Sequence, residues 1–150
     1  MKVDRKITTL FPISQVVRQG CVLSPLLFNI FMAGLAKNLS ADESGLKLDS
    51  KKVNSLFWAD DIVLLTEKRD ELEKLLKIVS DYCNINKQTI NCKKTKCLIF
   101  NKTGRLIREK VSMNGIPLEN VREYKYLGFI FTPSGEICTG LQELLNPCTH

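Results

Sequence analysis

The chain of 150 residues has an ordinary globular composition, with 44% hydrophobic and 25% charged residues, which excludes disordered and collagen-like proteins. Its 22 lysines and arginines outnumber its 16 acidic residues and give a net charge of +6, which favours nucleic acid as a partner. No apolar run approaches the ~18 residues of a membrane span, and no signal-peptide core is present. We therefore expect an intracellular protein, nuclear or cytoplasmic, that is neither secreted nor inserted in a membrane.

The six cysteines form no metal-binding pattern, because no two of them are spaced as C-x-x-C. The single histidine, His150, is the last residue, so we expect no zinc site. In an intracellular protein the cysteines are expected to remain reduced thiols.

Two helices are predicted. Ser24 and Pro25 supply a side-chain N-cap and a proline at the first helical position. Residues 26–39 are apolar on nearly every side, which predicts a helix buried on more than one face. Asp70 and Glu73 resemble a capping box at the start of the second helix. An apolar stripe with helical spacing follows and predicts one buried face: Leu72, Leu75, Leu76 and Val79.

Short strands are predicted around the second helix. Two apolar runs, residues 56–59 and 62–65, flank Asp60 and Asp61 and indicate a hairpin with a two-residue turn. The remaining predictions are a strand over 97–100, a hairpin over 111–118 and a strand over 124–132. This order of elements predicts an α+β fold with an antiparallel sheet.

The adjacent carboxylates of Asp60 and Asp61 are the clearest candidate for chemistry. A buried, isolated carboxylate is too costly to keep ionised, so each must reach water, a cation or a proton. Two-residue turns favour Asn-Gly or Asp-Gly, so Asp-Asp is a poor choice for the turn itself. Paired carboxylates suit Mg²⁺, a hard cation with oxygen ligands. From spacing alone, a metal site and an acidic surface turn both remain open.

Most of the net charge is concentrated between residues 87 and 110. This segment carries eight basic residues and one acid, Glu109, so it alone accounts for +7. The basic residues are Lys87, Lys93, Lys94, Lys96, Lys102, Arg105, Arg108 and Lys110. A solvated lysine-rich face would explain them, but the concentration favours a surface that binds the phosphates of nucleic acid.

Four motifs, in order over about residues 8–136, identify a family. Residues 57–65 resemble the catalytic (Y/F)-A-D-D hairpin of reverse transcriptases. Residues 18–29 resemble the R-Q-G-C-x-L-S-P-x-L-F-N segment of non-LTR (LINE-type) retrotransposon enzymes. Residues 90–97 are similar to the family's L-N-x-x-K-T-K segment, and residues 124–128 are similar to its Y-x-Y-L-G strand.

The resemblance implies a polymerase palm, in which an antiparallel sheet of three to four strands is backed by helices. The implied activity is RNA-directed DNA polymerisation, with an RNA template, a DNA primer, deoxynucleoside triphosphates and Mg²⁺. The implied site residues are Asp60 and Asp61 for the metal, Gln19 and Gly20 for the incoming nucleotide, Lys96 (or Lys94) for the triphosphate, and Tyr126, Leu127 and Gly128 for the primer.

The chain departs from the family pattern in three places. Trp58 stands where the family has Tyr or Phe, and residues 137–150 form a divergent tail. The seventeen residues before Arg18 contain one acid, Asp4, and nothing like the family's upstream aspartate motif. We therefore expect residues 1–136 to be a partial palm without fingers or first catalytic strand, and the chain to be inactive alone. The alternative is a non-catalytic nucleic-acid-binding module; a small metal-dependent nuclease or phosphatase would need a further acid or histidine at the site.

Overall fold

The structure is a computed structural model that describes residues 23–139 and, before them, the backbone of two short strands. In chain order the elements are β1 Lys2–Val3, β2 Lys6–Ile7, α1 Ser24–Ser40, β3 Leu46–Leu48, β4 Lys51–Val53, β5 Ser55–Trp58, β6 Asp61–Leu64, α2 Arg69–Ile85, β7 Lys96–Cys97, β8 Ser112–Met113, β9 Ile116–Pro117, β10 Glu119–Asn120, β11 Tyr124–Tyr126, β12 Phe129–Phe131 and β13 Ile137–Thr139. The chain divides within α1 into two units, residues 1–34 and 35–150.

The α+β fold class is confirmed: two helices accompany small, mainly antiparallel sheets. Antiparallel pairs join β1 to β2, β3 to β4, β5 to β6 and β8 to β9, and β11, β12 and β13 form a three-stranded sheet. Strand β7 pairs in parallel with β10, which was not predicted. Because β13 joins β12, the sheet extends past residue 136, and the division into residues 1–136 and a tail 137–150 stays a prediction.

Helix α1 begins one residue before the predicted position, since the Leu23 carbonyl already accepts the Leu27 amide at 3.0 Å. Only Leu35 and Leu39 are buried, and they lie one turn apart on a single stripe. The prediction of burial on more than one face is therefore wrong for the described residues. The exposed apolar side chains of its first half are 56 to 63% accessible: Leu26, Leu27 and Ile30.

Helix α2 buries most of the predicted stripe: Leu75, Leu76 and Val79 are buried, and Leu72 is half-buried. Its predicted capping box is wrong. Lys68 occupies the cap position without a side-chain cap hydrogen bond, and Asp70 lies inside the first turn. Glu73 instead accepts from the Arg69 guanidinium at 2.9 Å, an i,i+4 ion pair within a helix that begins two residues before the predicted position.

Two of the predicted strands take a different form. Residues 124–132 are a hairpin rather than one strand, because Leu127 and Gly128 adopt φ of 51° and 85° and reverse the chain. The strand predicted over 97–100 ends at Cys97. Further along, the Asn101 amide donates a hydrogen bond to the Pro133 carbonyl at 2.8 Å. The hairpin predicted around Asn114-Gly115 is confirmed.

The core of the second unit lies where α2 packs beside β6 and β8. Its most completely buried side chains are Leu35, Leu39, Leu75 and Val111. The Ser80 hydroxyl of α2 donates to the Asn114 side-chain oxygen at the β8–β9 turn, so this contact is polar as well as apolar. Among the described residues no helix is both long enough and apolar enough to cross a membrane.

The exposed apolar side chains of α1 predict that residues 1–150 associate in solution, since contiguous apolar patches promote aggregation. Changing Leu26, Leu27 and Ile30 together to Gln should raise the monomeric fraction, because Gln keeps a helix propensity close to that of Leu. Light scattering after size-exclusion chromatography measures this fraction. Leu35→Gln, at a buried position of the same helix, should lower it. A monodisperse wild-type monomer with a sharp cooperative melt would contradict the prediction.

Candidate functional site

The β5–β6 hairpin places the two adjacent aspartates at its tip. The register pairs Trp58 with Asp61, so the two-residue turn is Ala59-Asp60 and Asp61 already belongs to β6. The predicted turn, Asp60-Asp61, is therefore displaced by one residue. Ala59 has a φ of 51°, the left-handed value that the first position of a type II′ turn requires. For a residue other than glycine this conformation costs about 1–3 kcal/mol, so the surrounding hairpin must hold it.

Both carboxylates are open to solvent. Asp60 and Asp61 are exposed, and neither belongs to the ion pairs of the described residues, which involve Arg69 and Lys96. No protein cation therefore neutralises them in the part of the chain that is described. Carboxylates left in this state at a fixed turn are available to a cation from solution.

The fit to Mg²⁺ is partial. Two adjacent carboxylates supply hard oxygen ligands, and Mg²⁺ commonly takes one or two of these together with water and substrate phosphate. Within residues 23–139 there is no group of three or more His, Cys, Asp or Glu side chains able to hold a metal ion. The hairpin can thus supply one part of a metal site.

The two faces of the hairpin differ in burial. Asp61 lies opposite Trp58, and side chains paired in this way share one face of the sheet. The same face carries Leu56, and the two apolar side chains are 45% and 62% exposed. Phe57 and Ile62, paired on the opposite face, are half-buried. The tryptophan that departs from the family pattern therefore projects beside Asp61 without being enclosed.

Asn54 anchors the base of the hairpin, a role that the sequence did not reveal. Its buried side-chain amide donates to the Leu39 carbonyl at 2.6 Å, and its own carbonyl accepts the Leu65 amide at 2.8 Å. The Ser55 hydroxyl donates to the Asn54 side-chain oxygen at 2.9 Å. Gly45 is held against it, since a Cβ there would come within 2.8 Å of the Asn54 Cβ. The only sign of this role in the sequence is that Asn54 is a single polar residue between Val53 and strand β5.

Lys96, predicted near the triphosphate, is paired within the protein. It lies opposite Glu119 in the parallel β7–β10 pair, and its ammonium donates to the Glu119 carboxylate. The Glu119 side chain is 66% exposed, so this pair contributes little to stability, about 0–1 kcal/mol. Lys94, the alternative, is exposed and takes part in no ion pair of the described residues.

The basic segment is almost wholly accessible, with only Lys96 half-buried among its eight basic residues. The structure brings Lys93, Lys94 and Lys96 together along one groove, which Lys125 of β11 also lines. The remaining exposed members do not line this groove: Lys87, Lys102, Arg105, Arg108 and Lys110.

The other predicted contacts fall on a turn or outside the described residues. Tyr126 ends β11, and Leu127 and Gly128 form the turn to β12, with Leu127 47% exposed. Gln19 and Gly20 lie outside the described residues.

Two of the described cysteines are poorly suited to act as reactive thiols. Among the described residues, Cys83, Cys92 and Cys97 are free thiols. Burial raises the pKa of the Cys97 thiol, and the nearby Glu109 carboxylate raises it further. Burial also raises the pKa of Cys83. Because the thiolate is the reactive form, these two cysteines are suited to packing rather than to catalysis.

Comparisons with known proteins support the motifs. Residues 2–131 match the family described as reverse transcriptase (RNA-dependent DNA polymerase). The chain is 33% identical over 141 residues to a retrovirus-related Pol polyprotein from the type-2 retrotransposable element R2DM of Drosophila melanogaster, covering 87% of this chain and 13% of the relative. It is 30% identical over 132 residues to the corresponding R2 polyprotein of Nasonia vitripennis, covering 81% and 13%.

A third relative is the RNA-directed DNA polymerase from the mobile element jockey of Drosophila melanogaster, 28% identical over 135 residues, with 85% of this chain and 14% of the relative covered. The chain thus spans about one seventh of the length of these relatives. The family match covers most of the chain and includes the Asp60-Asp61 hairpin. The chain therefore belongs to the reverse transcriptase (RNA-dependent DNA polymerase) family, among the polymerases of non-LTR retrotransposons.

Proposed function

We propose that this chain supplies the metal-binding hairpin and part of the nucleic-acid surface of an RNA-directed DNA polymerase. The observation that carries the proposal is the pair of exposed carboxylates of Asp60 and Asp61 at an antiparallel turn, which belong to no ion pair of the described residues. Its partners are then an RNA template, a DNA primer and deoxynucleoside triphosphates. Such substrates place its action inside the cell, in the nucleus or cytoplasm.

In this reaction the primer 3′-oxygen attacks the α-phosphorus of the incoming nucleotide, and pyrophosphate leaves. When bound, Mg²⁺ supplies Lewis-acid stabilisation of the attacking and leaving oxygens. Asp60 is the main ligand that holds the cation, and Asp61 is the second. Gln19 and Gly20 would contact the incoming nucleotide, and Tyr126 at the end of β11 with Leu127 and Gly128 of the following turn would contact the primer. Lys96 reaches a triphosphate only by leaving Glu119, so Lys94 is the lysine already free to do so.

Residues 1–150 alone are proposed to be inactive. Two-metal phosphoryl transfer needs two ions about 4 Å apart, and the ions need carboxylates from more than one strand. The described residues contribute one adjacent pair and no group of three metal-binding side chains. The activity therefore belongs to the complete parent enzyme, in which another strand supplies the second set.

A second candidate is a non-catalytic module that binds nucleic acid. The accessible side chains of the basic segment favour it, because phosphate contacts need only exposed positive charge. This function does not require Asp60 or Asp61, so substitution of these aspartates by Asn distinguishes the two candidate functions.

The catalytic proposal predicts that Asp60→Asn removes most activity of the complete parent enzyme. A neutral amide is a poor substitute for a carboxylate ligand, and the lost stabilisation of several kcal/mol corresponds to a fall of at least about 100-fold. Asp61→Asn should reduce the rate less. Primer extension on an RNA template measures both.

The matched control is Asp49→Asn. Asp49 is also exposed in a two-residue hairpin turn, between β3 and β4, and its φ of 53° is one that Asn tolerates. It should keep wild-type activity. Equal rates for wild type and Asp60→Asn would eliminate the metal assignment.

A separate prediction concerns purified residues 1–150, which should bind nucleic acid without extending a primer. If five of the eight basic side chains meet duplex phosphates, the logarithm of the binding constant should fall with the logarithm of salt at a slope of roughly −4. Changing Lys93, Lys94 and Lys96 to Gln should make the slope less steep by the equivalent of about two to three phosphate contacts. The third contact requires Lys96 to leave Glu119.

Changing Lys51, Lys52 and Lys68 to Gln provides the control, since these exposed lysines lie outside the basic segment. It should have much less effect on the slope. Binding that does not depend on salt would exclude the basic segment as the nucleic-acid-binding surface. Primer extension by residues 1–150 would show that the carboxylates of this chain suffice for catalysis.

A further inference from the structure

The turn of the β8–β9 hairpin contains the only Asn-Gly pair of the sequence, Asn114 and Gly115. Asn114 has a φ of 52° and Gly115 a φ of 76°, the two positive values of a type I′ turn. Both residues are exposed. Apart from the chain neighbours of Gly115, no heavy atom lies within 4 Å of the point where a Cβ on this glycine would stand. The turn is therefore open to water and has room to change its conformation.

A buried hydroxyl group meets the side chain of Asn114. Ser80 of α2 is 5% exposed, and its hydroxyl donates a hydrogen bond to the Asn114 side-chain oxygen. A donor on a carbonyl oxygen stabilises the negative charge that the oxygen acquires when the carbonyl carbon is attacked. The side-chain amide of Asn114 is thus polarised by the protein on one side and reached by water on the other.

The nucleophile nearest along the chain is the backbone amide nitrogen of Gly115. It takes part in no hydrogen bond of the described residues, and its residue has no side chain to hinder an attack. Because this nitrogen belongs to the residue after Asn114, its attack on the Asn114 Cγ closes a succinimide ring. The reaction is intramolecular and needs no second molecule to form the new bond.

We propose that Asn114 is a site of spontaneous deamidation, with Ser80 as the group that polarises the reacting amide. The Gly115 nitrogen forms a bond to the Asn114 Cγ and gives up its proton to water, and the Cγ–Nδ2 bond breaks to release ammonia. Water then opens the succinimide and leaves either aspartate or isoaspartate. The net reaction consumes water and releases ammonia, without an oxidant or reductant. It does not depend on the metal or nucleic-acid functions proposed above.

The two products differ in their effect on the hairpin. Aspartate leaves the backbone unchanged and keeps an oxygen for the Ser80 hydroxyl. Isoaspartate routes the backbone through the former side chain and lengthens the turn by a carbon atom, so a two-residue turn no longer keeps Met113 opposite Ile116. Met113 is 3% exposed in the strand that packs beside α2, so isoaspartate loosens the hairpin from the helix.

Two other described asparagines provide comparisons within the same chain. Asn54 precedes a small residue, Ser55, but it is buried and its amide nitrogen is hydrogen-bonded. Asn120 precedes the β-branched Val121, and its side chain is held by the backbone N–H and carbonyl of Glu109. Neither is followed by glycine, and we expect both to keep their amides.

The test is peptide mass spectrometry of the full chain, kept soluble by fusion to a carrier protein and incubated at mildly alkaline pH in buffer and in urea. In buffer, Asn114 should gain the mass difference of deamidation and become a substrate for an isoaspartyl methyltransferase, while Asn54 and Asn120 stay intact. Ser80→Ala should slow the conversion about 2- to 10-fold, which is the effect of one hydrogen bond on the barrier.

Hydrogen exchange measures the effect on the hairpin. The Leu118 amide donates to the Val111 carbonyl at 2.9 Å and closes the base of the hairpin. This amide should exchange with deuterium faster in the isoaspartate form than in the unreacted chain. An unchanged exchange rate would overturn the loosening of the hairpin.

The matched control for Ser80→Ala is Ser112→Ala. Ser112 is an exposed residue of β8 close to the turn, and its hydroxyl belongs to no side-chain hydrogen bond with Asn114. This variant should convert at the wild-type rate. Asn114→Gly should abolish the reaction at this position and keep the turn, because glycine accepts a positive φ. Circular dichroism spectra identical to wild type confirm that each variant is folded.

An Asn114 amide that persists in the folded chain, over the time in which the urea-unfolded chain converts, would overturn the deamidation site. Conversion of Ser80→Ala at or above the wild-type rate would overturn the role of Ser80. Neither result affects the proposed functions, which are tested by other variants and other measurements.

Discussion

The hydrogen bonds of Asn54 join the base of the hairpin that carries the acidic pair to the end of α1. Its amide nitrogen reaches the Leu39 carbonyl at the end of α1, and its backbone carbonyl closes the base of the hairpin with Leu65. Leaving such a buried amide without partners costs about 1–3 kcal/mol, so a rotation of the hairpin away from α1 is opposed at its base. Gly45 leaves the space that this arrangement needs. The position of Asp60 and Asp61 depends on this anchor.

Among the described residues, the acidic pair of the β5–β6 turn and the lysines of the groove form no ion pair with each other. Asp60 and Asp61 stand at the turn, and Lys93, Lys94 and Lys125 line the groove at β11. This separation matches the needs of phosphoryl transfer, in which carboxylates hold cations and ammonium groups meet phosphates. A direct ion pair between the two groups would neutralise both. The described structure instead pairs Lys96 with Glu119.

Local patterns in the sequence predicted the features that depend on neighbouring residues. The stripe of α2 follows from helical periodicity, the hairpin at Asp60 from the two apolar runs around it, and the hairpin at Asn114 from its Asn-Gly turn; the structure contains all three. The cap predicted at Asp70 is wrong because the helix begins two residues earlier, with Lys68 at the cap position. The reversal at Leu127 was missed because a non-glycine residue takes a left-handed φ there. Asn54 acquires its role only through a contact distant in sequence, with Leu39, which no local pattern encodes.

The central claim is that the carboxylates of the β5–β6 turn hold a divalent cation. Mn²⁺ takes the same oxygen ligands as Mg²⁺, and its free concentration is read from its electron paramagnetic resonance signal. The chain is kept soluble by fusion to a carrier protein, and the signal of the carrier alone is subtracted. Titration with Mn²⁺ should show a bound ion that is lost in the Asp60→Asn, Asp61→Asn double variant and retained in Asp49→Asn. Equal Mn²⁺ binding by the double variant and the wild-type chain would contradict the account.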